Sequence, residues 1–352
     1  MSATGNRFEY IEISRGIAAL LVVCFHATGI SGLTKYFGMA PLGGLFSFGY
    51  AGVDFFFVLS GFIIFYSTAT NHANSSEIFS YIKHRLIRIY PIYWVVGFIL
   101  LPLTYLMGHR VGVVNAVMDF LLVPREGYPF VPVAWTLRHE MLFYVSFMLF
   151  FLNVTLAWVY FLLWGVAIVL CGLFSLDFAS PFASLYFNDH NLEFLLGIGI
   201  AQYAKSNQVL LIKPSFLFLG GAAIFIASGL NESLIHVGNY PEHGHYHLLY
   251  GVGAVLMIGG LIRLEADLKN YWVGMGTFLG RASYSIYLIH FAVLSAVVKL
   301  LVPLHFPLWL DLVLLVLSSV VIGSLLYQYV EVPLLAMIRS RGALASNVPA
   351  RV

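Results

Sequence analysis

Long apolar stretches separated by short polar connections occupy almost the whole chain. A helix needs about 20 predominantly apolar residues to cross a bilayer core about 30 Å thick. Ten stretches approach that length, and they run approximately over residues 12–32, 44–67, 89–108, 134–152, 156–175, 190–204, 214–230, 247–264, 282–302 and 308–330. This pattern predicts an all-α, polytopic integral membrane protein with about ten transmembrane helices.

The composition agrees with this prediction and argues against several other classes of protein. Of the 352 residues, 60% are apolar and only 10% are charged, whereas soluble domains carry roughly 25% charged residues. The net charge of +2 and the lack of a free basic stripe argue against a nucleic-acid-binding protein. The first apolar run is long enough to span and contains Arg15 and His26, so we interpret it as a retained helix rather than a signal peptide.

The positions of lysine and arginine predict the orientation of the chain. In the ten-helix arrangement, thirteen Lys and Arg residues fall on one side and four on the other, and the basic side is expected to face the cytoplasm. An even number of crossings then places both termini in the cytoplasm. We therefore predict one transmembrane domain over residues 1–338 and a short cytoplasmic tail over residues 339–352.

Three ionisable side chains inside the predicted spans have similar expected depths. Measured from the inner face at 1.5 Å per residue, His26 lies about 16 Å up, and Asp54 and Glu140 each lie about 21 Å up. Because a charge in hydrocarbon is costly, such residues are kept for a reason. A histidine beside carboxylates suits a general base with an orienting partner, although each residue could instead make an isolated hydrogen bond between helices.

A second group of charges lies at the predicted cytoplasmic face. Arg85 and Arg88 are three residues apart and share a helix face, and Arg15 is expected at the same level. Three guanidinium groups can bind a polyphosphate bidentately, although contacts with anionic lipid headgroups would use the same residues. The two groups together suggest a phosphate-bearing donor in the cytoplasm and chemistry toward the outer leaflet, but ion-coupled transport would need similar residues.

Five short motifs follow one another along the chain from residue 15 to residue 333. Ten residues separate Arg15 from His26, and the paired arginines at 85 and 88 precede Ile-Tyr-Pro. The other three motifs lie at residues 52–61 (Gly-Val-Asp-Phe-Phe-Phe-Val-Leu-Ser-Gly), 135–144 (with the pattern Trp-x-Leu-x-x-Glu) and 283–290, the last followed by Glu-Val-Pro at 331–333. In residues and order these motifs resemble those of the membrane acyltransferase family 3 proteins. The resemblance implies an acyl-CoA-dependent O-acyltransferase that modifies a cell-surface glycan, with His26 as the general base.

The resemblance also implies roles for the other candidate residues. Glu140 would orient or stabilise the His26 imidazolium, and Asp54 could substitute for it. No Gly-x-Ser-x-Gly motif precedes a strand, which argues against a serine acyl-enzyme. We predict an O-acetyltransferase of the bacterial cytoplasmic (inner) membrane whose partners are acyl-CoA, a glycan or lipid-linked saccharide acceptor and membrane lipids.

The donor is expected to be acetyl-CoA, and no metal is expected. Its phosphates would be bound by Arg15, Arg85 and Arg88, whereas Tyr284 and His290 could line the acyl path or simply pack. The alternative is a polytopic transporter of a lipid-linked saccharide or small anion, but the inverted repeats and broken helices typical of transporters are not evident. The outer connection at residues 231–247 contains several His and Glu residues that could bind a metal, although an exposed polar loop is the simpler interpretation.

Overall fold

The structure is a computed structural model of the chain, and it describes residues 8–68, 75–108, 110–206, 212–235, 246–264 and 273–346. Within these ranges the regular elements are helices, and they include no strand. The predicted all-α fold class is therefore confirmed.

The α-helices are numbered here in chain order. They are α1 (Glu9–Gly32), α2 (Gly52–Ser67), α3 (Ser75–Leu106), α4 (Val113–Phe120), α5 (Trp135–Phe147), α6 (Leu149–Leu152), α7 (Val154–Leu173), α8 (Pro181–Tyr186), α9 (His190–Lys205), α10 (Pro214–Ile235), α11 (Tyr246–Leu264), α12 (Val273–Leu301), α13 (Leu308–Leu326) and α14 (Val332–Ser346). A π-helical turn over Tyr327–Glu331 joins α13 directly to α14.

Eight helical segments in the described part of the chain are long and apolar enough to cross a membrane: Glu9–Gly32, Ser47–Ser67, Ser76–Leu106, Val154–Leu173, Pro214–Ser233, Tyr246–Leu264, Gly274–Leu304 and Leu308–Ser340. The other two predicted spans, 134–152 and 190–204, are also helical, but their helices are shorter than these eight segments. Helix α5 has 13 residues and α9 has 16 residues. The protein is thus a multi-pass membrane protein, while ten crossings and cytoplasmic termini stay predictions.

Two helices begin well before the apolar spans that predicted them. Helix α3 starts at Ser75 rather than near residue 89, and α12 starts at Val273 rather than near residue 282. The length of an apolar stretch reports the bilayer thickness, whereas a helix can continue through polar interfacial residues. Arg85 and Arg88 consequently lie on one continuous helix, and α14 likewise extends into the predicted tail as far as Ser346.

Helices α2 and α9 pack closely because glycines lie at their contact. A side chain on Gly61 of α2 would collide with the carbonyl oxygen of Phe194, and one on Gly197 of α9 would collide with the carbonyl oxygen of Val58. Small residues that let two backbones approach in this way are typical of membrane helix interfaces. The position of α9 against α2 is therefore fixed by sterics as well as by burial.

We expect the Gly197→Ala variant to destabilise the protein by about 2 kcal/mol, because the added methyl group forces two backbones apart. Gly199, two residues further along α9, is the matched control, since a methyl group there meets no described atom within 4 Å. Gly199→Ala should leave stability unchanged or raise it, because alanine favours the helix. Thermal unfolding of the purified variants tests this, and equal midpoints for the two would contradict the packing argument.

Aromatic rings join α2, α5 and α9 into one core. The Phe194 ring stacks on Phe143 with a centroid distance of 4.5 Å and lies 4.6 Å from the ring of Phe57. Phe143 and Phe194 are fully buried. This core holds together three of the helices that carry the ionisable side chains described next.

Candidate active site

A narrow cavity lies among α1, α2, α3, α5 and α12. Its volume is about 70 Å³, which is room for about five water molecules. The charged and hydroxyl side chains that line it are Arg15, Ser60, Arg88, Thr136, Glu140, Ser283, Tyr284 and Tyr287. The fold thus brings polar side chains from both ends of the chain to one small, mostly apolar chamber.

Arg15 and Arg88 enter this cavity from α1 and α3. The ion pairs within the described residues involve other side chains, so neither guanidinium is neutralised by a contacting carboxylate. Arg88 is exposed and Arg15 is half-buried. Two guanidinium groups that open to one cavity, without a contacting carboxylate, could hold an anion with several oxygens, such as a phosphate.

Arg85 lies to one side of this pair. Its guanidinium carbon is 5.3 Å from the ring centre of Tyr81 and 5.6 Å from that of Tyr144, distances typical of cation–π contacts. Of the three arginines grouped by the sequence, the structure therefore places Arg15 and Arg88 in the cavity and Arg85 against aromatic rings.

Glu140 shares the cavity with the two arginines. It comes from the second turn of α5, and the hydroxyl of Ser60 on α2 donates a hydrogen bond of 3.1 Å to its Oε1. A carboxylate accepts several hydrogen bonds, so one neutral donor leaves it with capacity for a ligand hydroxyl or an imidazolium.

His26 and His290 contact each other across α1 and α12. The Nδ1 atom of His26 lies 3.0 Å from the Val22 carbonyl oxygen, and the Nδ1 atom of His290 lies 2.6 Å from the Tyr287 carbonyl oxygen. Because a carbonyl oxygen only accepts, both Nδ1 atoms carry the proton in the neutral rings. His290 Nε2, 3.1 Å from His26 Nδ1, then accepts from it. This arrangement leaves the lone pair of His26 on Nε2, as a general base requires.

Tyr287 connects the histidine pair to the cavity. It lines the cavity, its ring centre is 5.7 Å from that of His290, and its hydroxyl lies 3.1 Å from Thr136 Oγ1. Tyr284 also lines the cavity and donates a hydrogen bond to the Ile89 carbonyl oxygen. His290 itself is fully buried, so of the two residues expected along an acyl path, Tyr284 lines the chamber and His290 lies behind its wall.

Asp54 is placed in a different group of side chains. Its Oδ1 atom lies 2.5 Å from Nδ1 of His247 and 3.6 Å from Nδ1 of His190, and its side chain is fully buried. These contacts place Asp54 beside His247 and His190, and no hydrogen bond or ion pair within the described residues joins it to His26 or Glu140. Its role beside His26 stays a prediction. Matched depth did not determine which residues meet, because helices around a bundle present side chains in different directions.

Four side chains form this second group, from the first turns of α2, α9 and α11. One ligand atom from each of Asp54, His190, Glu193 and His247 lies within 4.8 Å of all the others, so the group could hold a metal ion. His190 and Glu193 are not among the candidate residues predicted from the sequence. The available signal was a glutamate inside the sixth predicted span with a histidine three residues earlier, on the same helix face.

The outer connection at 231–247 is only partly a polar loop. Glu232 lies in α10 and is buried, and it accepts hydrogen bonds of 2.6 Å from each of the hydroxyls of Tyr50 and Tyr250. His247 lies in α11 and is also buried. Both residues were expected in an exposed loop. The remaining candidates there, His236, Glu242, His243 and His245, lie outside the described residues.

Arg138 and His139, the two basic residues before Glu140, have structural partners. Arg138 and Arg125 each lie 2.7 Å from the carboxylate of the fully buried Asp119. His139 Nδ1 lies 2.9 Å from the side-chain oxygen of Asn191. These contacts tie the start of α5 to its neighbours and direct both basic groups away from the cavity.

Similarity to known proteins extends over most of the chain. Residues 8–328 match the acyltransferase domain of acyltransferase family 3. The exopolysaccharide production protein ExoZ of Rhizobium meliloti (strain 1021) is 31% identical over 307 residues, which cover 84% of this chain and 92% of ExoZ. A Staphylococcus aureus (strain COL) protein named "Putative O-acetyltransferase" is 23% identical over 318 residues, which cover 81% of this chain and 52% of that protein. No solved structure gives a significant match.

Proposed function

This chain belongs to acyltransferase family 3 and is an O-acyltransferase, and on that premise we propose that it transfers an acetyl group from cytoplasmic acetyl-CoA to a hydroxyl of a cell-surface glycan. The observation that carries the proposal is the cavity in which Arg15, Arg88 and Glu140 meet. The His26–His290 pair lies one residue behind its wall, through Tyr287.

Two features of the cavity support acetyl-CoA as the donor. The phosphates of CoA match the unneutralised guanidinium groups of Arg15 and Arg88. A volume of about 70 Å³ accommodates a short acyl group better than a long one. The site would therefore bind CoA through its charge and select the acyl group by its size.

The proposed reaction is direct transfer assisted by His26. A sugar hydroxyl is a poor nucleophile at neutral pH, so Nε2 of His26 takes its proton as the oxygen attacks the thioester carbonyl. The carbon–sulfur bond then breaks, and the proton passes from the imidazolium to the departing CoA thiolate. Glu140 stabilises the positive charge or holds the acceptor hydroxyl, and His290 keeps the tautomer of His26.

The comparisons and the charge distribution support the proposed acceptor and the proposed membrane. The name of ExoZ, exopolysaccharide production protein, supports an exopolysaccharide repeat unit as the acceptor. The excess of Lys and Arg on one side supports insertion in a bacterial inner membrane with that side facing the cytoplasm. Acyl-CoA would then be supplied from within the cell.

A labelling experiment with the purified protein in lipid nanodiscs tests this function. With acetyl-CoA labelled in the acetyl group and glycan from a strain that lacks the protein, we expect label on the glycan and one free CoA released per acetyl group transferred. The same glycan from the parent strain should be heavier by its acetyl substituents. Intact acetyl-CoA and glycans of equal mass would contradict the proposal and favour transport without bond chemistry.

A further inference from the structure

Asp54, His190, Glu193 and His247 form a buried cluster that the proposed transfer does not use. Asp54 is 0% exposed and Glu193 is 2% exposed. The Oδ2 atom of Asp54, the Nδ1 atom of His190 and both carboxylate oxygens of Glu193 are buried without a hydrogen-bond partner. Because burying an unsatisfied polar atom is costly and burying an unpaired carboxylate costs more, these atoms indicate that a partner is missing from the group.

We propose that this cluster binds one divalent transition-metal ion, with Zn²⁺ as the ion whose chemistry fits it best. The site offers two imidazole nitrogens and two carboxylate oxygens. Neutral imidazole suits zinc, copper, iron and nickel, and carboxylate oxygens complete many such sites. Calcium and magnesium are disfavoured because they prefer oxygen ligands.

The distances are compatible with a tetrahedral ion after small side-chain rotations. Ligand atoms about 2.0–2.2 Å from a metal lie about 3.3–3.6 Å apart in a tetrahedron. Nδ1 of His190 lies 3.6 Å from Asp54 Oδ1 and 3.7 Å from Glu193 Oε2, and the whole set spans no more than 4.8 Å. His247, at 2.5 Å from Asp54, would have to move outward, and ligand atoms that lie up to 4.8 Å apart would have to move closer.

A shared proton is the metal-free alternative for two neighbouring carboxylates. A protonated Glu193 carboxyl group would donate a hydrogen bond to one oxygen of Asp54, and this would satisfy one oxygen of each carboxyl group. The second oxygen of Glu193 and the Nδ1 atom of His190 would still lack partners. A cation at the centre of the cluster is attracted to both carboxylates and accepts a lone pair from all four groups, so it satisfies more of the buried atoms.

The ion would act as a clamp between helices. Its ligands come from α2, α9 and α11, and four protein ligands fill a tetrahedral site, which is typical of structural zinc. Phe57, one turn after Asp54, lines the cavity, and its ring centre is 5.6 Å from that of His190. The clamp would therefore fix one wall of the cavity without taking part in acyl transfer.

The first test uses the wild-type protein, purified in detergent with an affinity tag that contains no histidine. After chelation and dialysis, added Zn²⁺ should bind at one ion per chain by elemental analysis and should raise the thermal midpoint. Added Co²⁺ should give the visible absorption of a four-coordinate ion with nitrogen and oxygen ligands. A wild-type protein that binds no stoichiometric Zn²⁺ would overturn the proposal and leave the shared proton as the explanation.

Variants then locate the ion. Glu193→Gln keeps the shape of the side chain and removes its charge, and His190→Gln changes the least buried ligand; each should weaken Zn²⁺ binding at least tenfold. His84→Gln is the matched control, because His84 is exposed on α3 and contacts Ser80, and it should bind as the wild type does. Wild-type affinity in both cluster variants would overturn the assignment.

If neither variant folds, the Zn²⁺ stoichiometry and the Co²⁺ spectrum of the wild-type protein decide whether the metal site exists. Because these readouts are independent of acyl transfer, they separate this proposal from the proposed function.

Discussion

The His26→Ala variant is expected to lose acyl transfer by about 10²–10⁴-fold, the usual contribution of a positioned general base. The lone pair on Nε2 disappears with the ring, while the half-buried position of His26 makes a folded variant attainable. The measurement is label transferred from acetyl-CoA to glycan per purified protein, together with the thermal midpoint. Binding of acetyl-CoA should change little, since His26 is not among the residues that line the cavity.

Two further variants sharpen this test. His84→Ala removes an exposed histidine from α3 and should keep full activity. His290→Phe removes one of the two acceptors for His26 Nδ1 but keeps an aromatic ring, so it should lower kcat and leave KM for acetyl-CoA nearly unchanged. Activity of His26→Ala close to wild type, in a folded protein, would remove His26 from the mechanism.

The Arg88→Ala variant is expected to weaken acetyl-CoA binding by about a hundredfold. Loss of a bidentate contact with a phosphate removes two charge-assisted hydrogen bonds, together about 3 kcal/mol. Arg88→Lys should bind with intermediate affinity, because it keeps the charge but cannot form the bidentate contact. Isothermal titration calorimetry at two salt concentrations measures both effects, and the wild-type affinity should fall as the salt concentration rises.

Arg85→Ala is the matched control on the same helix, three residues away. Because its guanidinium lies against the rings of Tyr81 and Tyr144, its loss should change the Kd for acetyl-CoA much less than the loss of Arg88. Equal affinity in the Arg88→Ala variant and the wild type would contradict a role in donor binding. It would favour contacts between these arginines and lipid headgroups instead.

The helices were predictable because their signal is local. Apolar length and the 1.5 Å rise per residue depend on neighbouring positions along the chain, and eight of the ten predicted spans correspond to helices long enough to cross. The starts of α3 and α12 were not predictable from apolarity, since both helices continue beyond the apolar residues. The 13 residues of α5 and 16 of α9 show that helical character alone does not establish a full crossing.

The site was predictable in part. The pattern of charges identified Arg15, Arg88 and Glu140, which the structure places around one cavity. It did not separate Arg85 from them, because residues three apart on a helix still differ in direction by about 60° when one turn holds 3.6 residues. It also missed the contact of His26 with His290, which joins helices at opposite ends of the chain.

The sequence by itself determined the membrane environment, the helical class and the family motifs, because these depend on composition and on spacing along a single helix. Only the tertiary structure decided which side chains meet. The expected depth of a side chain gives only its height in the membrane. The direction in which it points from its helix, and the helix that it faces, are set by packing. Glycines 61 and 197 bring α9 against α2, and for that reason Asp54 meets His190 and Glu193, with His247 joining from α11, instead of the histidine it matched in expected depth.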